Sequence, residues 1–99
     1  MENFTSKQRS NLRSLAQQIQ PITQIGKGGI NDQLIDTVDK ALSKRELIKL
    51  SVLDNAEDTA NAFAEELSLK TDSTVVCVIG RKIVLYRKST KPGVTHIEF

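Results

Sequence analysis

The sequence has one cysteine, one histidine, two prolines, no tryptophan and only 4% aromatic residues. Each shortage excludes something. Cys77 has no partner for an internal disulfide, and alone it builds no zinc site. It lies in the most apolar segment, where an inert core thiol is the plain expectation. His96 sits in the last residues, with no identifiable partner to orient it for acid–base work. So few aromatics argue against a sheet that stacks bases on Phe and Tyr, and Tyr86 is expected to pack at least as readily as to stack. No apolar run approaches the roughly 20 residues of a membrane span. The opening Met1-Glu2-Asn3-Phe4 lacks the charged and apolar regions of a secretory leader. A cytoplasmic setting is therefore expected, with no membrane contact. No carboxylate pair stands beside a supporting His, Cys or Lys. No catalytic residue, metal, cofactor or small-molecule substrate is expected.

Charge is present in ordinary amount but unevenly placed. The formal net charge is +2. No Asp or Glu occurs between Glu2 and Asp32, a stretch carrying Lys7, Arg9, Arg13 and Lys27. None occurs between Asp72 and Glu98, a stretch carrying Arg81, Lys82, Arg87, Lys88 and Lys91. The acids gather in the middle, at Asp54, Glu57, Asp58, Glu65 and Glu66. A nearly neutral total thus hides basic and acidic regions, and a basic face attracts polyanions whatever the net charge. For any single Lys, a solvated surface charge is the simpler account.

The length of 99 residues suits one domain, spanning 1–99, with about 89–99 as a loosely ordered tail. Thr5 followed by Gln8 predicts a capping box. Leu12, Leu15, Ala16 and Ile19 recur at helical spacing, and Pro21 is expected to end that helix. Ile22 to Ile25 predicts a short strand, broken by Gly26 to Gly29. Asn31 predicts the cap of a second helix, with Leu34, Ile35, Val38, Ala41 and Leu42 on its buried stripe. Glu46 to Leu53 alternates as a strand. Asp54 with Glu57 predicts a second capping box before a third helix through Ala60, Phe63, Ala64 and Leu67. Thr74 to Ile79 is apolar on both faces, the pattern of a central strand. Gly80-Arg81 predicts a tight turn into a last strand, Lys82 to Arg87. The fold class is α/β: a two-layer-type α-β-α-β-α-β-β order with a mixed four-stranded sheet. Val94 to Phe99 has the composition to pair at a sheet edge.

The chemistry concentrates in the loop Gly26-Lys27-Gly28-Gly29. Glycine lets a backbone turn tightly and approach another backbone closely. The loop leads into a helix N-terminus, where free amides and the dipole attract phosphate. Lys27 adds a full charge. Such a loop can clamp a sugar–phosphate backbone without reading bases. A Gly-rich turn joining strand to helix is the competing account of the string by itself. Asp32 and Asp36 weaken the pull on phosphate. A P-loop is excluded because its Lys must follow the last glycine, and a dinucleotide fingerprint because Asn31 stands where Gly or Ala is needed.

These residues resemble the YhbY-like proteins, bacterial single-domain members of the CRM (chloroplast RNA splicing and ribosome maturation) family. The Gly26–Gly29 loop carries the resemblance. Glu46-Leu47-Ile48-Lys49, the hairpin Ile79 to Arg87, and the N-terminal helix with Lys7, Gln8, Arg9, Leu12, Arg13, Leu15 and Ala16 support it. The resemblance implies a fold similar to the C-terminal domain of translation initiation factor three. It implies RNA binding, with ribosomal RNA and the precursor of the large ribosomal subunit as partners. The family's GxxG loop maps onto Gly26, Lys27, Gly28 and Gly29. Roles for Arg9, Arg13, Arg81, Lys82, Arg87 and Lys88 follow from the charge map alone. The rival expectation is a protein-interaction module whose acidic third helix docks a basic ribosomal protein.

Overall fold

The computed structural model describes residues 3–99; Met1 and Glu2, which open the stretch examined for a leader, lie outside it. The chain forms α1 (Ser6–Ala16), β1 (Thr23–Ile25), α2 (Asp32–Arg45), β2 (Leu47–Val52), α3 (Ala60–Thr71), β3 (Thr74–Ile79) and β4 (Lys82–Tyr86). This is the expected order.

Local chemistry sets the boundaries. The Thr5 hydroxyl accepts from the Gln8 amide at 3.1 Å, and the Gln8 side chain accepts from the Thr5 amide at 3.0 Å, completing the box. α1 ends before Pro21 acts on it. The amides of Gln17, Gln18 and Ile19 bond three residues back, to Ser14, Leu15 and Ala16, so the helix tightens and stops. Asn31 caps α2 by accepting from the Leu34 amide at 2.8 Å. Asp54 and Glu57 do not start α3. Ala56 closes a turn onto Leu53, and Thr59 is the cap, accepting from the Ala62 amide at 3.1 Å.

The sheet order is β1-β2-β4-β3. β1 and β2 are parallel, joined through α2, and β4 runs antiparallel between β2 and β3. β3 is therefore an edge strand and β4 a central one, which corrects the expectation for Thr74 to Ile79. β3 is apolar on both faces because helices lie over both sides of the sheet. Its edge is also guarded. A register shift falls between Val75 and Cys77, and the Arg9 guanidinium donates to the carbonyls of Val75 (2.8 Å) and Val76. A bulged edge with occupied carbonyls is a poor template for another strand.

α2 and α3 cover one face, where Ile25, Val38, Leu42, Ile48, Leu50 and Leu67 are fully buried. Each such side chain contributes about 1.5–3 kcal/mol by leaving water. α1 covers part of the opposite face, where Leu12 and Ala16 meet Leu47, Val76, Val84 and Tyr86. The expected helical layer is thus joined by a partial third one.

The segment after Ser89 has no helix or strand, and Val94 to Phe99 does not pair with the sheet. It is nevertheless tied down, contrary to the loose tail expected from its composition. Glu46, fully buried and with φ 66°, turns its carboxylate toward it. That carboxylate accepts from the amides of Ser89 (2.7 Å) and Ile97 (2.8 Å) and lies 2.6 Å from His96 Nδ1. Phe99 packs edge-on against Tyr86 and Phe4, with ring centroids 5.0 and 5.6 Å away.

Candidate functional site

Parallel β1 and β2 finish at the same end of the sheet, and the β3–β4 turn lies there too. Ser51 pairs with Lys82, Val52 donates to the Arg81 carbonyl at 2.7 Å, and Leu53 donates to the Ile25 carbonyl at 2.9 Å. The Gly26–Gly29 loop, the start of the β2–α3 connection and the Gly80-Arg81 turn therefore meet at one end.

The loop is a β-turn closed by the Gly29 amide donating to the Gly26 carbonyl at 3.0 Å. Gly29 has φ 65°, so its glycine is a backbone requirement. A Cβ at Gly26 would stand 3.4 Å from Leu53 Cδ1 and one at Gly29 3.8 Å from Phe63 Cε1, so the loop rests on β2–α3 packing. Gly28 differs. Its φ is not positive and a Cβ there would meet nothing within 4 Å. Its backbone faces open space. Beside it runs a polar groove of about 280 Å³, lined by Gln24, Gly26, Gly28, Gln33 and Thr37. Lys27 is exposed and, among the described residues, engaged in no ion pair.

The other cations divide. Arg81, at the turn, pairs with Asp54. Lys82 starts β4 and lies 3.3 Å from the Ser51 hydroxyl, on the sheet face that α1 partly covers. Arg13 projects from α1 over the same face and lines a cleft there with Cys77. Arg9 is occupied by the β3 carbonyls and stacks over Phe4, 5.5 Å from its centroid. Arg87 lies at the far end of β4. It donates to the Asp39 carboxylate (2.6 Å), the Asp39 carbonyl (2.9 Å), the Ser43 hydroxyl (2.9 Å) and the Thr71 carbonyl (2.6 Å), joining β4 to α2 and α3. Exposed Lys88 follows it at that far end. The ten residues expected to act together thus do not share one face. Gly26, Lys27, Gly28, Gly29, Arg81, Lys82 and Arg13 border one end and its adjoining face; Arg87 and Lys88 are remote, and Arg9 is a structural clasp.

Lys49 was missed. It pairs with Val84 on the same face as Lys82, near Arg13 and Cys77. The alternation of β2 puts it on the face opposite Ile48 and Leu50 but does not show what it stands beside. Tyr86 is 3% exposed and packs among aromatics rather than offering a stacking surface. Burial pushes the Cys77 thiol above its ordinary pKa, against the opposing pull of Arg13, Arg9 and Lys49. Burial likewise pushes Glu46 upward, but hydrogen bonds from Ser89, His96 and Ile97 outweigh it and hold the carboxyl below the usual range.

Fold and site together define a small α/β domain with a glycine-rich loop and cations gathered at one end of a mixed sheet and its adjoining face. The chain belongs to the CRS1/YhbY (CRM) domain family, whose description matches residues 4–87. The membership inferred from the loop and hairpin is thereby established. Relatives include Probable RNA-binding protein YqeI of Bacillus subtilis, 49% identical over 87% of this chain and 90% of that protein. A protein of Haemophilus influenzae named RNA-binding protein is 29% identical over 90% of each chain. Among solved structures, the solution structure of hypothetical protein SAV1595 from Staphylococcus aureus superposes with a TM-score of 0.75. It is 51% identical, over 91% of this chain and 94% of that one, and is described provisionally as RNA-binding.

Proposed function

We propose that this protein binds RNA, with the Gly26–Gly29 loop clamping the sugar–phosphate backbone of ribosomal RNA during assembly of the large subunit in the cytoplasm. The observation that carries this reading is the loop itself: backbone open at Gly28, a lysine at the tip that no described residue pairs with, and a polar groove alongside. Lys27, Lys82 and Arg13 neutralise phosphates, while Arg81 must exchange Asp54 for a phosphate to take part. Such contacts position RNA without reading sequence, so selectivity comes from RNA shape or from neighbouring protein. The names of the relatives and the family membership support RNA as the partner.

The role is binding rather than catalysis. Labelled RNA incubated with the protein, with and without magnesium, is expected to stay intact; cleavage would overturn this. The principal test is co-sedimentation with precursor ribosomal particles, comparing wild type with the double variant Lys27→Asp, Gly28→Asp. Loss of association with an unchanged thermal melt is expected. Undiminished association would make the loop structural.

One observation favours a protein partner instead. Leu69 is 67% exposed on α3, the helix that also carries exposed Glu65 and Glu66. If that surface carried the association, reversing Glu57, Asp58 and Glu65 would abolish it and the loop variant would not.

A further inference from the structure

α1 covers only part of its face of the sheet. Past Ala16 the chain turns away, and a cleft of about 260 Å³ opens between the helix end and the strands. Its floor is apolar: Ala16, Cys77, Ile79 and Val84. Its rim is cationic, with Arg13, Lys49 and Lys82 around it and no carboxylate in the lining. Gln17 adds an amide, which both donates and accepts. Ile79, at 51% exposure, is an apolar side chain left uncovered beside Lys82.

The sheet connects this cleft to the loop. Gln24, Ser51, Lys82 and Ile79 are successive partners across the four strands, so their side chains form one row on this face. Gln24 lines the groove beside the glycine loop. Ser51 touches Lys82. Three strand spacings, about 14 Å in all, separate the ends of the row. That row carries no acid.

An apolar slot with a hydrogen-bonding amide and a ring of cations matches a ligand that is flat and apolar in one part and anionic in another. We infer that the cleft takes one unstacked nucleobase, its flanking phosphates held by Arg13, Lys49 and Lys82, as the RNA strand continues from the loop along the Gln24–Ser51–Lys82 row. This rests on the proposed RNA-binding function and deepens it. A loop that grips backbone alone accepts paired and unpaired RNA alike; a base slot requires unpaired nucleotides. A base face laid on the apolar floor leaves water, a gain that a paired base, already stacked in its duplex, does not offer.

Cys77 is the sole cysteine and lies half-buried in the cleft, so alkylation by N-ethylmaleimide reports on its occupancy. The experiment compares an RNA hairpin bearing an unpaired loop with a blunt RNA duplex of equal length. Affinity and the Cys77 alkylation rate are measured for each, with saturating RNA for the rate. The hairpin is expected to slow alkylation several-fold while the bound duplex leaves it unchanged. Ile79→Ser, a neutral change at an exposed position, is expected to weaken hairpin binding several-fold and to spare duplex binding. Hairpin bound with Cys77 alkylated at the free rate would overturn the base slot and leave the loop clamp standing. Equal losses for both RNAs on Ile79→Ser would also overturn it. Failure of wild type to bind either RNA would remove the RNA-binding reading and the slot together.

Discussion

At the scale of single residues, two glycines of one loop have opposite duties. Gly29 has a left-handed backbone, where a Cβ is penalised by about 1–2 kcal/mol. Gly29→Ala is therefore expected to lower unfolding free energy by about that amount in urea titrations. Gly28 has neither constraint nor neighbour. Gly28→Ala is expected to leave the urea midpoint within experimental scatter yet weaken RNA association, because it roughens the surface a backbone must approach. Glu46 is the other residue whose identity is fixed by its surroundings. Its folded pKa lies below the ordinary value, so the charged form is the one that folding favours. Its contribution is fully present above the unfolded pKa of about 4.3 and is lost as pH falls through the lower folded value. Glu46→Gln leaves buried donors poorly matched and is expected to cost about 1–3 kcal/mol at pH 7. The gap between variant and wild type should narrow as urea titrations are repeated from pH 5 down to pH 3.

At the scale of elements, Arg87 shows how a surface cation becomes a structural one. Four hydrogen bonds join the end of β4 to α2 and α3, with its side chain 20% exposed. Arg87→Ala is expected to destabilise the fold by about 1–3 kcal/mol while RNA affinity of the folded fraction stays unchanged. Equal loss of affinity would return Arg87 to the RNA surface. The sequence placed Arg87 among the binding residues because an acid-free stretch says nothing about which acid another element brings. Asp39 arrives from α2, across 48 positions. Local patterns were legible where local chemistry decides: the Thr5–Gln8 box, the Asn31 cap, the glycine loop before α2. Patterns decided by distant partners were not. β3 is apolar on both faces like a central strand, yet it is an edge, because burial records covering helices and not neighbouring strands. Asp54 with Glu57 has a box's spacing, but Thr59 is a competent cap closer to the helical stripe. The tail looked loose because its anchor, Glu46, was hidden as the first residue of an alternating strand.

At the scale of the whole molecule, the two acid-free stretches fold into partly separate regions. The first supplies Arg13 and Lys27, and the second supplies Lys82, to one end of the sheet and its adjoining face; Lys49 joins them from between the acids. Arg87 and Lys88 stand at the opposite end, and Arg9 is engaged by β3. This distribution limits how many phosphates one RNA strand can meet. Each neutralised phosphate contributes about −0.7 to −0.9 to the slope of log affinity against log salt, so Arg13, Lys27, Lys49 and Lys82 predict roughly −3 to −4. Removing the Lys27 charge with Lys27→Gln should make the slope shallower by roughly one unit, whereas Lys88→Gln should leave it unchanged. A filter-binding series over salt, with all three proteins on one RNA, decides between this one-sided footprint and a wrap-around one. If Lys88→Gln alters the slope as much as Lys27→Gln, the RNA reaches both ends of the sheet, and the path drawn along the Gln24–Ser51–Lys82 row is too short.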